Sequence, residues 1–395
     1  MPRKRNNAIS IDTIEKVVEN DLDYYSIKPI DETGATIKII VGTRSNGKSY
    51  AVLVKAVESF AKDGITTVFC RRWRSDASAT DLGTMFSKLV KNGVIEKATG
   101  GKWHDVFYWS NCWYFCNYDE SGNRERHSSP FMYFKSINEA ERGKSSWSDP
   151  NCKRIIFEEF LATADKYIPD EWKKFITVYS SVKRDLPDDQ FECYMIGNTL
   201  NPMSLYFMNM GIHHIEKQEK GTIQLYNFPG RFKMAVELTR EKGPSKSNLV
   251  DGFFYAFDDP TIRMTRDGDW EFEQFPLMKD GDVGESFDII TAKNCIFDFY
   301  VEYDDYLLKN IIVKDTKGIY VLSHLTNYKL TDKDYNTKLI YRCEPSIRPN
   351  IRDTFQKPRD AVDQEINRLF ALNLFRYNDN WAGNVMKNFL SEFTK

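Results

Sequence analysis

The sequence predicts an α/β protein with a first domain built on a mostly parallel β-sheet, followed by a smaller α+β domain. Three observations support this prediction. Short β-branched runs alternate with helical stretches in the first half of the chain, a glycine-rich loop joins one such run to a helix, and the pattern becomes strand-rich after about residue 220. Because 395 residues exceed the length of one average domain, we expect domains at 1–220 and 281–395, with a connector at 221–280.

The predicted elements of the first domain begin with a helix. Isoleucines and valines between residues 11 and 18 have helical spacing, which predicts an N-terminal helical extension. Residues 37–41 (IKIIV) are typical of a buried strand, residues 49–64 are helical and end on a glycine, and residues 65–72 repeat the strand pattern. This order predicts a right-handed βαβ unit with two parallel, buried strands.

The next part of the first domain is rich in aromatic residues. Residues 102–134 contain aromatic, strand-like runs and the turn ESGN, which predict extra strands within the domain. Residues 154–160 (RIIFEEF) and 191–198 (FECYMIGN) predict two more buried strands that end in polar residues. In an open α/β sheet, ligand-binding groups lie at such carboxyl ends.

The pattern between residues 221 and 280 is less regular and is interpreted as strands and turns of the connector. After it, residues 294–308 and 318–325 predict paired strands, and residues 360–375 predict an amphipathic helix. The last part of the chain is therefore expected to form the second, α+β domain.

Composition and charge exclude several classes of protein. No apolar stretch approaches the ~20 residues of a membrane span, so we expect a soluble, intracellular protein with no membrane association. The net charge of −2 lacks the basic excess of many nucleic-acid binders, although basic groups confined to channel loops are compatible with it. The seven cysteines have no CxxC arrangement, and the adjacent His213 and His214 make a poor metal site, so we predict neither disulfides nor zinc.

The strongest functional signal is the loop GTRSNGKS. It matches the GxxxxGKS phosphate loop and has the preceding strand and following helix that this motif requires. Backbone N–H groups of the loop would bind phosphate oxygens, Lys48 would reach the terminal phosphates, and Ser49 would bind Mg²⁺. The residues predicted to hold the nucleotide are Gly42, Thr43, Arg44, Ser45, Asn46, Gly47, Lys48, Ser49 and Tyr50.

An acidic pair on a parallel strand is the second requirement of such a site. The buried run at 155–157 leads to Glu158 and Glu159. Glu158 would hold the magnesium shell, and Glu159 would orient and polarise the attacking water. The alternative is that two exposed glutamates begin a helix and interact with its dipole. Together with the loop, the pair predicts an ASCE (RecA-like) P-loop NTPase domain.

Hydrolysis also needs positive charge at the transition state, which an arginine from a neighbouring subunit can supply. Arg184 lies just before the strand at 191–198, and Lys144 lies in the polar loop before the acidic strand. Asn198 ends its strand, where it could sense the γ-phosphate. Each of these residues could equally be an ordinary surface or turn residue.

Further arginines, and one missing motif, bear on the type of NTPase. Arg71, Arg72 and Arg74 close the second strand, where they could couple nucleotide state to a polymer in a channel or form a solvated strand end. The chain has no guanine-reading NKxD sequence, so ATP is the predicted nucleotide.

Taken in order, these elements resemble the DNA-packaging ATPases of small tailed phages, which use a structural RNA ring and are related to large terminases and FtsK/HerA translocases. The resemblance covers mainly residues 30–205: GTRSNGKS, RR after the second strand, ERGK before RIIFEE, Arg184, and GNT at Asn198. It implies an ATP- and Mg²⁺-dependent homo-oligomeric ring, a pentamer in the family. Such a ring would drive double-stranded DNA into the capsid through the portal, in the cytoplasm of the infected host cell.

The resemblance also implies roles for individual residues. Lys48 and Ser49 match the family's phosphate loop and Glu159 its catalytic glutamate. Arg184 matches the trans-acting finger, and Lys144 matches a second trans-acting cation. Glu158 stands where the family carries Asp as the magnesium carboxylate, which puts the metal assignment in question.

For residues 281–395 the resemblance implies a degenerate ribonuclease-H-type domain that docks to RNA or capsid. A two-metal nuclease needs three or four carboxylates from separate strands, whereas Asp298, Glu302, Asp304 and Asp305 crowd one segment. We therefore expect no nuclease activity. The basic residues that could contact phosphates, or be scattered surface charge, are Arg342, Arg348 and Arg352.

Two other functions stay open at this point. A cellular P-loop DNA helicase or helicase loader would favour single strands and would need no capsid-docking domain. A non-translocating, ATP-dependent switch protein would use nucleotide binding to drive association, with incidental hydrolysis. Strand preference separates the motor from the helicase, and unchanged turnover in Glu159→Gln would favour the switch.

Overall fold

A computed structural model describes residues 10–15, 25–44, 46–75, 78–143, 149–162, 166–184, 186–229, 232–240, 270, 275–278, 294–316, 318–344 and 346–391. The chain divides into two units, each with its own sheet and core. Unit 1 comprises Met1–Ala162, Tyr167–Pro202 and His214–Trp270, and unit 2 comprises Thr163–Lys166, Met203–His213 and Glu271–Lys395.

Unit 1 is built on a ten-stranded sheet. Its strands are β1 (Ser10–Glu15), β2 (Ile37–Val41), β3 (Thr66–Arg71), β4 (Asp105–Trp109), β5 (Cys112–Tyr118), β6 (Arg124–Ser136), β7 (Cys152–Glu158), β8 (Glu192–Gly197), β9 (Thr222–Asn227) and β10 (Lys233–Leu238). Their order across the sheet is β1-β9-β10-β2-β8-β7-β3-β6-β5-β4. The six strands from β10 to β6 are parallel, and the two outer strands on each side are antiparallel. The predicted mostly parallel α/β sheet is confirmed.

The helices of unit 1 cover the sheet and connect its parallel strands. They are α1 (Lys28–Glu32), α2 (Lys48–Asp63), α3 (Ala79–Thr84), α4 (Ser87–Lys91), α5 (Val94–Ala98) and α6 (Glu171–Lys183). All five residues of β2 are buried, as expected for a parallel strand covered on both faces. The helix α2 ends at Gly64, whose left-handed φ of 68° closes the last turn. The predicted βαβ unit therefore forms as expected.

The aromatic segment at 102–134 supplies the outer strands β4, β5 and β6, as predicted. Trp113 is fully buried, and its indole N–H donates a 2.8 Å hydrogen bond to the Leu82 carbonyl. Phe115 and Phe131 stack with their ring centroids 4.4 Å apart, which fills the space between these strands and the helices.

The N-terminal helix predicted from spacing at residues 11–18 is wrong for the residues that the structure describes. Ser10–Glu15 form strand β1, which pairs antiparallel with β9, while residues 16–24 lie outside the described ranges. Isoleucine and threonine favour extended backbone, and β1 completes the edge of β9. This long-range pairing is not visible in local spacing.

The observed units do not divide the chain at residue 220, where the sequence predicts a domain boundary. The strands β9 and β10 fall in the predicted connector at 221–280, yet they belong to the sheet of unit 1, and β10 is the parallel neighbour of β2. Met203–His213, which were assigned to the first domain, belong to unit 2. Most of the remaining residues up to 280 lie outside the described ranges.

Unit 2 contains a six-stranded sheet with helices packed on it. Its strands are β11 (Cys295–Tyr303), β12 (Tyr306–Asp315), β13 (Gly318–Thr326), β14 (Ile340–Arg342), β15 (Ile351–Arg352) and β16 (Phe375–Tyr377), and its helices are α7 (Leu205–Met210), α8 (Asp332–Thr337), α9 (Ala361–Ala371) and α10 (Asn380–Ser391). The order is β15-β14-β11-β12-β13-β16. The strands β11, β12 and β13 are antiparallel, and β14 and β15 continue parallel to β11.

This topology agrees with the smaller α+β domain predicted for the end of the chain. The helix predicted at 360–375 is α9, whose Ile366 and Leu369 pack with Val385 and Phe389 of α10 against the sheet. Across the ranges the structure describes, no helix combines the length and apolar character of a membrane span.

Candidate active site

The loop GTRSNGKS connects β2 to α2 and is shaped by two glycines. Gly47 has φ 99°, a conformation that strains any residue with a side chain. At Gly42, an added Cβ would lie 1.8 Å from Thr239 Oγ1, because the chain leaving β10 passes directly against the loop. Asn46 Nδ2 donates a 3.0 Å hydrogen bond to the same Thr239 oxygen. The loop is therefore fixed against the end of β10.

Lys48 lies inside this loop with its side chain buried. Its ammonium donates hydrogen bonds to the carbonyls of Gly42, at 3.0 Å, and Thr43. Burial lowers the pKa of Lys48 from 10.5 to about 7, and the nearby carboxylates of Glu158 and Glu237 oppose this shift. A bound polyphosphate would supply the negative charge that favours the ammonium form, so the position suits an anionic ligand.

The other predicted loop residues differ in exposure. Thr43 and Asn46 are buried, Arg44 is exposed, and Ser49 is half-buried in the first turn of α2. Tyr50 accepts a 3.1 Å hydrogen bond from Asn92 Nδ2. Ser45 lies outside the described residues.

Strand register brings the acidic pair and Asn198 to the same edge of the sheet as the loop. In β8, Ile196 is paired with Ile40 of β2 on one side and with Glu158 of β7 on the other. Glu158 is therefore two strands, roughly 10 Å, from the end of β2. Asn198 follows β8 between them, and Gly42 N donates a 3.3 Å hydrogen bond to the Gly197 carbonyl. These predicted residues are thus brought together.

Glu158 and Glu159 share one arginine. Arg71, at the end of β3, places Nη2 2.5 Å from Glu158 Oε2 and Nη1 3.0 Å from Glu159 Oε2. The Glu158 side chain is 14% exposed and that of Glu159 is 57% exposed. Glu158 therefore faces the site interior, whereas the Glu159 carboxylate is open to solvent and can contact a water molecule.

The residues present fit one Mg²⁺ ion. Ser49 and Glu158 offer hydroxyl and carboxylate oxygens, which are ligands that Mg²⁺ prefers, with the rest of its shell filled by water and phosphate oxygens. In the part of the chain that the structure describes, no group of three or more His, Cys, Asp or Glu side chains is arranged to hold a metal ion.

Arg72 holds the backbone around Glu159. Its Nη1 donates to the Glu159 carbonyl at 3.1 Å and its Nη2 to the Phe160 carbonyl at 2.7 Å, while Nε lies 2.9 Å from Glu171 Oε2. Arg72 is 7% exposed, so the hypothesis that it reaches a polymer in a channel is wrong for this arginine. Arg74 is exposed and lies 3.6 Å from Glu139.

Arg184, the predicted trans-acting finger, is not assembled with this site. Arg184 follows the last residue of α6, is exposed, and has φ 33°. Lys183 beside it pairs with Asp188, whose carbonyl accepts from Thr36 Oγ1 just before β2 begins. Arg184 therefore lies toward the amino edge of the sheet, opposite the phosphate loop. Lys144 falls outside the described residues.

Glu237 and Tyr25 were missed by sequence reasoning. Glu237 is fully buried in β10, and Tyr25 donates a 2.6 Å hydrogen bond to its carboxylate. Tyr25 N also donates to the Asn46 carbonyl at 3.0 Å, which ties the segment before α1 to the phosphate loop. The available signal was the pattern TIQLYN-FPGRF-KMAVEL, two strand-like runs around a Pro-Gly turn.

The four carboxylates of unit 2 considered for a nuclease site each contact a cationic or hydroxyl side chain. Asp298 pairs with Lys338 at 3.0 Å, and Glu302 accepts from Tyr335 at 2.9 Å. His213 Nδ1 lies 3.2 Å from Asp304 and 3.6 Å from Asp305.

The three arginines suggested for phosphate contacts differ in exposure. Arg352 is 12% exposed and pairs with Asp360 and Asp363, so the structure contradicts a phosphate-contacting role for it. Arg342 pairs with Glu302 and Glu344, and Arg348 is exposed.

Comparison of sequences relates the chain to phage proteins. No protein-family model matches it. It is 22% identical over 174 residues to the DNA packaging protein of Bacillus phage PZA, and equally to that of Bacillus phage phi29. The aligned part is 44% of this chain and 45% of each relative, so the chain spans about half the length of the relatives it matches.

Comparison of structures extends the likeness to both units. A chain of the Phi-28 DNA packaging motor is 15% identical, with a TM-score of 0.53 over 94% of this chain and 97% of that chain. A chain of the bacteriophage Phi-29 viral genome packaging motor assembly is 16% identical, with a TM-score of 0.51 over 94% and 99%. The fold is thus that of DNA-packaging motor chains, which confirms the resemblance inferred from sequence.

Proposed function

We propose that this chain is an ATP-driven motor that translocates double-stranded viral DNA into a preformed capsid. The observation that carries the proposal is the likeness to a packaging-motor chain over 94% of this chain, which includes unit 2 as well as the nucleotide site. A helicase or helicase loader needs only the first of these units. A shared fold alone does not imply a shared activity, so the site residues must supply the chemistry of the motor.

ATP hydrolysis in the proposed site is positioning chemistry. Lys48 and the backbone of the phosphate loop bind the phosphates, and Asn198 lies between the loop and the acidic strand, where it can sense the γ-phosphate. Glu159 orients the attacking water and polarises it. Ser49 and Glu158 would hold Mg²⁺, which neutralises phosphate charge when bound.

The location of Arg184 favours hydrolysis at a subunit interface. Arg184 lies toward the edge of the sheet opposite its own phosphate loop, so any nucleotide that it contacts would belong to another subunit. We propose that Arg184, together with Lys144, completes the site of a neighbour in a homo-oligomeric ring, by resemblance a pentamer. An arginine supplied in this way can contribute ~10³–10⁵ in rate.

Unit 2 is the proposed docking part of the motor. Asp298 pairs with Lys338, Glu302 pairs with Tyr335 and Arg342, and Asp304 and Asp305 share His213. A two-metal nuclease would instead need three or four carboxylates directed at shared metal ions. We propose that unit 2 binds the portal, the capsid or a structural RNA ring, without nuclease activity. The motor would then act at the portal vertex in the host cytoplasm.

The experiment that tests the motor compares ATP turnover without nucleic acid, with double-stranded DNA and with single-stranded DNA. We expect double-stranded DNA to give the largest stimulation, and the stimulation to fall with rising salt as phosphate contacts weaken. Glu159→Gln should lower turnover by about 10²–10⁴-fold to a small residual rate, whereas Glu125→Gln, at an exposed position of β6, should leave it unchanged. Preference for single strands would favour the helicase, and unchanged turnover in Glu159→Gln would favour the nucleotide switch.

A further inference from the structure

Glu159 adopts a backbone conformation that an amino acid with a side chain rarely takes. Its φ is 57°, directly after β7 ends at Glu158. Left-handed backbone at a non-glycine residue is strained and persists only where surrounding contacts hold it. The contacts that hold Glu159 are therefore part of how its carboxylate is aimed.

The buried guanidinium of Arg72 contacts the backbone of this turn, whereas Arg71 contacts the Glu159 carboxylate itself. Arg72 donates to the carbonyls of Glu159 and Phe160, and its cation lies 5.0 Å from the ring centroid of Tyr167. Three nitrogens of one planar group thus bind the turn and Glu171 together. A lysine cannot reproduce this arrangement, since its single ammonium cannot reach the same acceptors in the same geometry.

Glu171 fixes the guanidinium in turn. Its side chain is fully buried, both of its carboxylate oxygens accept from Arg72 Nε, and Oε2 also accepts from Ile168 N at 2.9 Å. A buried pair of this kind is costly unless its polar groups are satisfied, and here Arg72 Nη1 and Nη2 donate to the carbonyls of Glu159 and Phe160. Glu171 is also the first residue of α6.

We propose that Arg72, held by Glu171, is a positioning residue that keeps Glu159 in its left-handed conformation and so aims its carboxylate at the attacking water. The inference rests on the proposed ATPase function. It adds a link between Glu159 and α6, the 13-residue helix that presents Arg184 about 20 Å away at its other end. The geometry of a subunit's own glutamate thereby depends on the helix that carries the cation it offers to a neighbour.

The test uses basal ATP turnover of the full chain. Arg72→Lys keeps the positive charge but loses the geometry, and we expect kcat to fall about 10²-fold, the cost of a misplacement near 1 Å. The Kd for a non-hydrolysable ATP analogue should change by less than about threefold, because the phosphate loop is untouched. Glu171→Gln is the second variant, and it should lower kcat in the same direction while Kd is preserved.

Arg154→Lys is the matched control. Arg154 is also buried, on β7, and pairs with Glu192 at 2.7 Å, far from the Glu159 turn. If Arg72 and Arg154 both served stability alone, both variants would lower the melting temperature, and neither would change kcat. We expect a selective loss of kcat only in Arg72→Lys, measured below the melting temperature of every variant.

Epistasis separates positioning from a merely structural role. In a Glu159→Gln background, Arg72→Lys should cause no further loss of turnover, because the group that it positions has already been neutralised. Wild-type kcat in a folded Arg72→Lys, a matching loss of nucleotide affinity, or the same fold-loss in the Glu159→Gln background would each overturn the inference. A wild-type chain with turnover but no response to double-stranded DNA would contradict the motor and leave this test in force. A wild-type chain without turnover would contradict both.

Discussion

We expect the charge of Lys48 to depend on whether nucleotide is bound. Burial lowers its pKa to about 7, below the 10.5 of an exposed lysine. The unfolded chain therefore binds more protons than the folded chain between these two values, and stability rises with pH across that window. A bound polyphosphate reverses the shift, because it places negative charge beside the ammonium.

We predict that nucleotide binding is coupled to proton uptake by Lys48. At pH 8, binding of Mg²⁺-ATP analogue should take up close to one proton, and at pH 6 it should take up almost none, since the ammonium form already dominates there. Calorimetry in buffers of different ionisation enthalpy measures this number. Lys48→Met should bind weakly without the pH-dependent uptake, and equal uptake at both pH values would contradict the prediction.

A second prediction concerns a single residue, Gly42. An alanine here would place its Cβ 1.8 Å from Thr239 Oγ1, so the loop must shift away from the end of β10. We expect Gly42→Ala to cost about 1–3 kcal/mol of stability and to weaken nucleotide binding. Thermal melting and analogue titration measure the two effects.

The control for Gly42 is another glycine of the same unit. A Cβ at Gly83 would meet no atom within 4 Å, so Gly83→Ala should leave both properties unchanged or slightly improved. Adding Thr239→Ala to Gly42→Ala removes the clashing oxygen and should restore part of the loss. No recovery in that double variant would mean that the contact is not the cause.

At the scale of elements, α6 separates the two ends of the catalytic machinery. Glu171 at its start is tied to the Glu159 turn, and Arg184 after its end lies near the opposite edge of the sheet. If Arg184 acts only on a neighbour, a subunit lacking the finger and a subunit lacking the glutamate have complementary defects. A mixture of the two would then contain some complete sites.

We therefore predict that Arg184→Ala and Glu159→Gln chains each retain only a small residual turnover alone and regain part of the wild-type turnover when mixed. The recovered sites would combine Glu159 of one chain with Arg184 of the other. A mixture of Lys48→Ala with Glu159→Gln is the control, since neither chain offers an intact nucleotide site and no pairing restores one. Full activity of Arg184→Ala alone, or no recovery in mixed rings of normal size, would refute a trans role.

Elements differ in how far sequence predicts them. The strands β2, β3, β7 and β8 and the helix α2 are predictable, because burial on both faces gives continuous apolar runs beside a loop with a known context. The strand β1 is not, since its extended form depends on pairing with β9, more than 200 residues away in sequence. The hairpin of β9 and β10 carried a local turn signal, but only the sheet shows that β10 adjoins β2.

The residues of the candidate site differ in the same way in how far the sequence predicts them. The loop, Glu158, Glu159 and Asn198 are found by motif and strand ends, because chemistry restricts the residue types there. Arg72, Glu171 and Glu237 are charged residues whose roles depend on being buried against distant partners, and isolated charges look like ordinary surface residues in a sequence. Their positions beside the candidate site become visible only from the contacts.

At the scale of the whole molecule, the chain passes between its two units more than once. Met203–His213 lie in unit 2, although unit 1 precedes them and β9 and β10 of unit 1 follow them. Met203 is buried in the core formed by β11, β12 and α10, together with Val301, Leu308 and Phe389. A boundary drawn along the sequence at 220 therefore assigns Met203 to the wrong core.

This arrangement predicts which unfolding transition each core substitution affects. Nucleotide binds unit 1 and should raise the transition of that unit by mass action. Met195→Ala, buried in β8, should lower the nucleotide-sensitive transition, because removing a buried methionine side chain costs about 2–5 kcal/mol. Met203→Ala should instead lower the temperature of the other transition, which nucleotide does not change. Phe389→Ala in α10 should have the same effect.

Calorimetric melting of the three variants, with and without ATP analogue, tests whether residues 203–213 unfold with unit 2. Met195 and Met203 are separated by only a few residues in sequence, and both are buried methionines, so each serves as the control for the other. If Met203→Ala shifted the same transition as Met195→Ala, or if both variants shifted a single transition equally, then residues 203–213 would not unfold with unit 2. The expected split would show that the cores, not the sequence order, define the units of this chain.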